Sequence, residues 1–153
     1  MRENSSEITK YIHIARENHK KGNIYQANEI YKKLINQKIY TYELLISYGL
    51  FCKEINNLKI AKNLFLLSIK KYPTEINSYI LLAEILRKEN NVNDALKILQ
   101  SREITLMDNA EQYTNFVNEN ETLIDELKAR MEFNANNHAS SPRAVQLSNK
   151  SSG

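Results

Sequence analysis

Apolar residues recur along this chain at intervals of three and four, as in Ile8-Tyr11-Ile12-Ala15 and Leu81-Leu82-Ile85-Leu86. That spacing places them on one face of a helix, and such a face must be buried against a neighbour. A longer period is superimposed on the short one. Ala27, Ala61 and Ala95 are 34 residues apart, and each is followed four positions later by a large side chain, Tyr31, Phe65 or Leu99. The same frame holds upstream for Tyr11, Leu45 and Tyr79, for Ile14, Tyr48 and Leu82, and for the small residues Ala15, Gly49 and Ala83. Between the halves lie Gly22-Asn23, Asn56-Asn57 and Asn90-Asn91, residue types that tolerate the left-handed backbone where a helix stops and the chain reverses. Each repeat therefore predicts helix, turn, helix. Ala15, Gly49 and Ala83 are expected opposite Ala27, Ala61 and Ala95, with the large residues filling the groove between one hairpin and the next.

These columns resemble the tetratricopeptide repeat. The middle repeat carries the resemblance best, with Leu45-x2-Tyr48-Gly49-x2-Cys52, then Ala61-x3-Phe65, Ser68 and Pro73. The outer repeats depart from it, with Ile39 and Met107 at the Pro position and Leu34 and Arg102 at the small Ser68 position. The resemblance implies an all-α, right-handed α-α superhelix of antiparallel helix pairs. Its expected bounds are a flexible stretch at 1–7, repeats at 8–41, 42–75 and 76–109, a degenerate unit at 110–133 and a disordered tail at 134–153. The degenerate unit keeps Tyr113, Phe116, Val117, Ala129 and Phe133 in frame but has Ile124-Asp125 where a turn pair belongs. It reads either as one continuous capping helix or as a broken fourth hairpin. Glu119, Glu121, Asp125, Glu126 and Glu132 suit the polar outside of such a cap.

Composition narrows the class further. The chain has 153 residues, 42% hydrophobic and 25% charged, the balance of one folded domain. Three Gly, two Pro and no Trp leave too little punctuation for many short strands. Cys52 is alone, so no disulfide closes within the chain, and no basic-then-apolar leader opens it. These features predict a reducing, cytoplasmic setting. No run approaches the ~18 apolar residues that a bilayer span requires, so no membrane partner is expected. Frequent Asn, Ile, Lys and Tyr fit an AT-rich genome.

Catalysis needs titratable groups gathered at one point, and the candidates are His13, His19, His138 and Cys52. His13 and His19 are six apart on one predicted helix, nearly opposite each other, and cannot share a metal. Cys52 stands at a core position beside Phe51 and Ile55, as a small hydrophobe. Phosphate-binding and dinucleotide-binding glycine loops, paired-Cys zinc spacings and nucleophile elbows are all missing. The expectation is therefore no enzyme, no catalytic residue, no metal and no cofactor. A sequence pI near 8.9 raises nucleic acid, but Lys20-Lys21, Lys32-Lys33 and Lys70-Lys71 fall at predicted helix ends, where cations offset the dipole. No nucleic-acid partner is expected.

What remains is a binding surface. The resemblance implies that first helices line a concave groove, presenting Thr9, Ile12, Arg16 and His19, then Glu43, Ile46, Leu50 and Lys53, then Asn77, Ile80, Glu84 and Arg87. Ile12, Ile46 and Ile80 form an aligned row expected to be exposed unless neighbouring helices cover it. Arg16, His19, Lys53 and Arg87 form a largely basic border. Such a groove suits an acidic or amphipathic peptide or partner helix. Relatives that clamp a C-terminal carboxylate use Lys and Asn at positions held here by Ile12, Arg16, Ser47, Asn77 and Leu81, which argues against that activity. The alternative function is the front of a larger bacterial enzyme of glycosyltransferase, sulfotransferase or methyltransferase type. Self-association is a third reading, because residues 1–108 carry 17 Lys/Arg against 12 Asp/Glu while 109–133 carry two against six.

Overall fold

The computed structural model describes residues 4–106, 111, 115, 118 and 120–136. The first six helices are α1 (Ser5–Lys20), α2 (Ile24–Asn36), α3 (Tyr42–Glu54), α4 (Leu58–Lys71), α5 (Asn77–Lys88) and α6 (Val92–Leu106). A further helix, α7, runs without interruption over 120–136, and positions 111, 115 and 118 are also helical. The described residues contain no strand. The architecture is all-α, built from helix hairpins. The chain divides into two compact units, 1–85 and 86–153.

Each hairpin reversal repeats one backbone device. Gly22, Asn56 and Asn90 all have positive φ (81°, 63° and 62°), as their residue types predict. The next residue then donates back into the helix: Asn23 to the Asn18 carbonyl (2.8 Å), Asn57 to Cys52 (2.7 Å) and Asn91 to Leu86 (2.8 Å). Gly22, Asn56 and Asn90 donate in turn to His19, Lys53 and Arg87 (3.0, 3.1 and 3.0 Å). These paired bonds satisfy carbonyls that a helix end would otherwise leave without partners. Lys38 makes the same reversal after α2 at φ 59°, although its side chain gains nothing from that conformation. Side-chain caps begin two of the helices: Asn4 accepts from the Glu7 amide (2.9 Å) and Thr41 from the Leu44 amide (3.2 Å). The Asn4 cap starts α1 at Ser5, inside the stretch expected to be flexible.

In the unit 1–85 the small columns lie at the helix crossings. Ala15, Ala27, Gly49, Ala61 and Ala83 are all buried. A Cβ added to Gly49 would strike the ring of Phe65, with Phe65 Cζ only 2.8 Å away, so α3 and α4 approach as closely as a missing side chain allows. Tyr31 on α2 stacks on Tyr48 of α3 (5.0 Å, 13°) and tilts against Phe51 (5.3 Å), filling the groove between the first two hairpins. Ser68 donates no bulk, and its hydroxyl meets that of buried Ser78 at 2.7 Å, joining α4 to α5. The Tyr72 hydroxyl donates to the Tyr40 carbonyl (2.6 Å) and that of Tyr79 to the Pro73 carbonyl (2.8 Å), which ties down the connections. Tyr11, assigned by its column to the core, is instead 38% exposed.

In the unit 86–153 the core includes Val92, Ala95, Leu96, Leu99, Ile124 and Leu127. The turn looked for at Ile124-Asp125 does not form, because Ile124 and Leu127 put α7's apolar face into this core and the helix passes through both positions. Ala129 and Phe133 keep the 34-residue frame in sequence but not in packing: both are exposed. Residues 134–136, expected in a tail, continue α7. Met107, Tyr113, Phe116, Val117, Glu119 and the remainder of the tail from 137 onward lie outside the described residues.

Gly49→Ala is expected to lower stability by about 1 to 3 kcal/mol through overpacking against Phe65, and Ala61→Phe by a similar amount. Lys38→Gly should raise stability by up to about 1 kcal/mol, since glycine meets no Cβ clash at that backbone angle. Thermal unfolding followed by far-ultraviolet circular dichroism reads all three, and unchanged melting of Gly49→Ala would contradict the close α3–α4 approach.

Candidate functional site

The stripe Glu43, Ile46, Ser47, Leu50, Lys53 follows three- and four-residue steps along α3, so these side chains share one face. Thr9, Ile12, Arg16 and His19 form the matching stripe on α1, and Asn77, Ile80 and Glu84 that on α5. Polar side chains tie these stripes together. Thr9 donates to Glu43 (3.2 Å), Arg16 donates to the Ser47 hydroxyl, and Arg16 lies 3.6 Å from the Glu43 carboxylate. Lys53 on α3 donates to Glu84 on α5 at 2.8 Å. At the end of α1, His19 Nε2 is 3.0 Å from Glu54 while its ring meets Phe51 edge-on at 5.0 Å.

This bonding corrects two expectations. Ile12 is fully buried (0% exposed), because Thr9 and Arg16, one turn to either side of it, both hold α3 close to α1. The exposed isoleucine row is thus reduced to Ile46 and Ile80, each half-buried, with half-buried Leu50 between them on the α3 stripe. The basic border is also neutralised. Arg16, His19 and Lys53 each face a carboxylate of a following helix, so among the described residues this border alternates basic and acidic side chains. In the unit 86–153, Arg87 is likewise engaged, donating to both carboxylate oxygens of Glu126 (3.1 and 3.2 Å).

Glu43 and Glu84 stand in the groove columns of the sequence, but their bonds to the basic residues do not follow from the columns. Arg16 with Ser47, and Lys53 with Glu84, are each 31 residues apart, one helical turn short of the repeat. Helices lying side by side bring that offset into register, so a search for opposite charges at 31 as well as 34 would have found Lys53 with Glu84, whereas Ser47 is neutral and the Arg16–Glu43 ion pair follows neither interval. Glu54 and Glu126, the partners of His19 and Arg87, carry no such signal.

Among the described residues no three His, Cys, Asp or Glu side chains come together as a metal site. Burial pushes the Cys52 thiol up from an ordinary 9.0 to about 12, which leaves it protonated and unreactive at neutral pH. Burial likewise raises the Tyr31 and Tyr48 hydroxyls from 10.0 to about 12. No helix among the described residues is long and apolar enough to cross a membrane.

The family model of ChAPs, the Chs5p-Arf1p-binding proteins, matches residues 4–146. No curated protein matches the sequence. Among solved structures, the type III secretion translocator chaperone SycD of Yersinia enterocolitica is similar at a TM-score of 0.68 and 13% identity, over 86% of this chain and 90% of that one. A type III secretion complex from Aeromonas hydrophila is similar at a TM-score of 0.70 and 12% identity, over 84% of this chain and 85% of that one. At these identities the likeness is one of fold.

The raised thiol and phenol groups predict the direction of alkaline sensitivity. Each group keeps its proton in the folded chain and loses it more readily when unfolded, so stability is intact below pH 9 and falls as pH rises from 9 towards 12. Cys52→Ala should remove the part of the decline that begins near pH 9 and leave the tyrosine part that begins near 10. Melting temperatures across that range test this, and a wild-type profile flat to pH 11 would rule it out.

Proposed function

Because this chain belongs to the ChAPs family, the Chs5p-Arf1p-binding proteins, we propose that it is a non-catalytic scaffold of tetratricopeptide type that binds a protein partner of the Arf1p or Chs5p kind. The observation that carries this reading is the extent of the family match, which runs over 4–146 and takes in every described helix. The face offered to the partner is the one built by α3 with α1 and the first two turns of α5. Ile46, Leu50 and Ile80 supply apolar area there that is neither fully covered nor fully hydrated, and burying it is worth roughly 25 cal/mol for each Å² removed from water.

The charged residues have a different role from that of attracting an acidic ligand. Arg16, Lys53 and Glu84 spend their charge on one another's helices, and with the His19–Glu54 contact they hold α1, α3 and α5 at fixed spacing. Arg87 does the same towards Glu126. Partner choice then rests on apolar contact at the isoleucines, with the ion pairs as a polar rim, and an amphipathic helix or edge matches that chemistry. A cytoplasmic setting agrees with the single reduced thiol of Cys52.

Recombinant Arf1p and Chs5p, titrated separately by calorimetry, test the reading. Wild-type chain is expected to bind at least one of them. Ile46→Glu combined with Ile80→Glu should weaken that binding at least tenfold, or about 1.4 kcal/mol, with helicity unchanged. Absence of binding to both proteins rejects the function, and full binding by the double variant moves the site off this face.

A further inference from the structure

Two apolar surfaces lie outside that face, and each is half of a contact seen inside the chain. The first is on α1. Tyr11 and Ile14 occupy the columns of Leu45 and Tyr48 on α3, which are buried, yet Tyr11 and Ile14 are 38% and 36% exposed. What buries Tyr48 is the second helix of the preceding hairpin: Tyr31 of α2 stacks on its ring, and Asn28 of α2 accepts from its hydroxyl at 3.4 Å. On α1 the corresponding place is open, and Tyr11 lines a small apolar niche there with Ile30, Lys33 and Leu34.

The second surface is on α7. Ala129 and Phe133 stand 34 residues after Ala95 and Leu99, the positions of the small residue and the large residue of every second helix. Ala27 with Tyr31, Ala61 with Phe65 and Ala95 with Leu99 are all buried, whereas Ala129 is exposed and Phe133 is 65% exposed. Among the described residues, the end of α7 therefore has the surface of a second helix with nothing stacked on it, and α1 has the surface of a first helix with nothing stacked against it.

We propose that α7 of one copy docks on α1 of a second copy, in the place a preceding second helix would take. Phe133 then lies over Ile14 as Tyr31 lies over Tyr48, and Ala129 allows the backbones to approach. Charge on balance favours the same pairing: exposed Lys10, Lys21 and Lys33 outnumber exposed Glu7 around the α1 surface, and exposed Asp125 and Glu132 outnumber exposed Arg130 around Ala129 and Phe133 on α7. The contact is head to tail, so its two sides differ and each copy keeps one side free for another. It uses neither Ile46, Leu50 nor Ile80, and its readout is independent of partner binding.

Sedimentation velocity over a concentration series up to about 0.5 mM tests the proposal; at that concentration even a contact with a Kd of ~1 mM is populated. Wild-type chain should rise in mass with concentration and fall back with added salt. Phe133→Asp and Ile14→Asp, both at exposed positions, should each remain at the 17.8 kDa of a single chain; Lys33→Glu serves as a second α1-side variant and should weaken association at least tenfold. An equimolar mixture of Phe133→Asp and Ile14→Asp retains one intact junction and should give a two-chain species and nothing larger. A wild-type mass fixed at one chain overturns the proposal. So does self-association that persists in Phe133→Asp, which would mean that α1 surfaces meet one another instead.

Discussion

Two helices joined by a short reversal can share a core only if their backbones approach closely where they cross, and this constraint governs the chain. At the α3–α4 crossing Gly49 lies against the Phe65 ring with no room for a Cβ. Alanine fills the other small positions, Ala15, Ala27, Ala61, Ala83 and Ala95, and is buried in each case. The left-handed residues Gly22, Asn56 and Asn90 meet the same requirement at the turns, since they stop the first helix with its carbonyls bonded and send the chain straight back. Close approach at one end and a tight reversal at the other define a hairpin; the large residue four positions after each small one is then free to pack outward.

That outward packing joins one hairpin to the next. Tyr31 covers Tyr48 and Phe51, and the buried Ser68–Ser78 pair joins α4 to α5 without requiring volume. Over this apolar contact runs a polar one, in which Thr9, Arg16, His19 and Lys53 reach acceptors on the following first helix. The Arg16–Glu43 pair is well exposed and worth little by itself. The Lys53–Glu84 bond is shorter and more sheltered, and it holds α3 and α5 in a set register. This face thus combines bonded cations with the half-buried isoleucines Ile46 and Ile80.

How much could be read from the chain without coordinates follows from which interactions are local. Helix count through α6, the three reversals and the residues at the crossings were legible, because each depends on a short window repeated at a fixed interval. Ala27, Ala61 and Ala95 are buried because every hairpin needs the same close approach, and Cys52 is inert because its column is a core column. The early start of α1 was legible in principle, since Asn4 followed by Glu7 is a capping arrangement.

Tertiary packing decided the rest. Tyr11 and Ile12 are adjacent and both apolar, yet Ile12 is sealed by the bonds that Thr9 and Arg16 make to α3, while Tyr11 faces away from that helix. Arg16 and Lys53 look like a basic groove in one dimension and become halves of ion pairs, with Glu43 and Glu84, once helices lie side by side. Ala129 and Phe133 fit the repeat in sequence, but Ile124 and Leu127 claim the core and turn that pair outward. A column of residue types specifies what a position is able to pack against; whether a neighbour occupies that space is a property of the assembled helices.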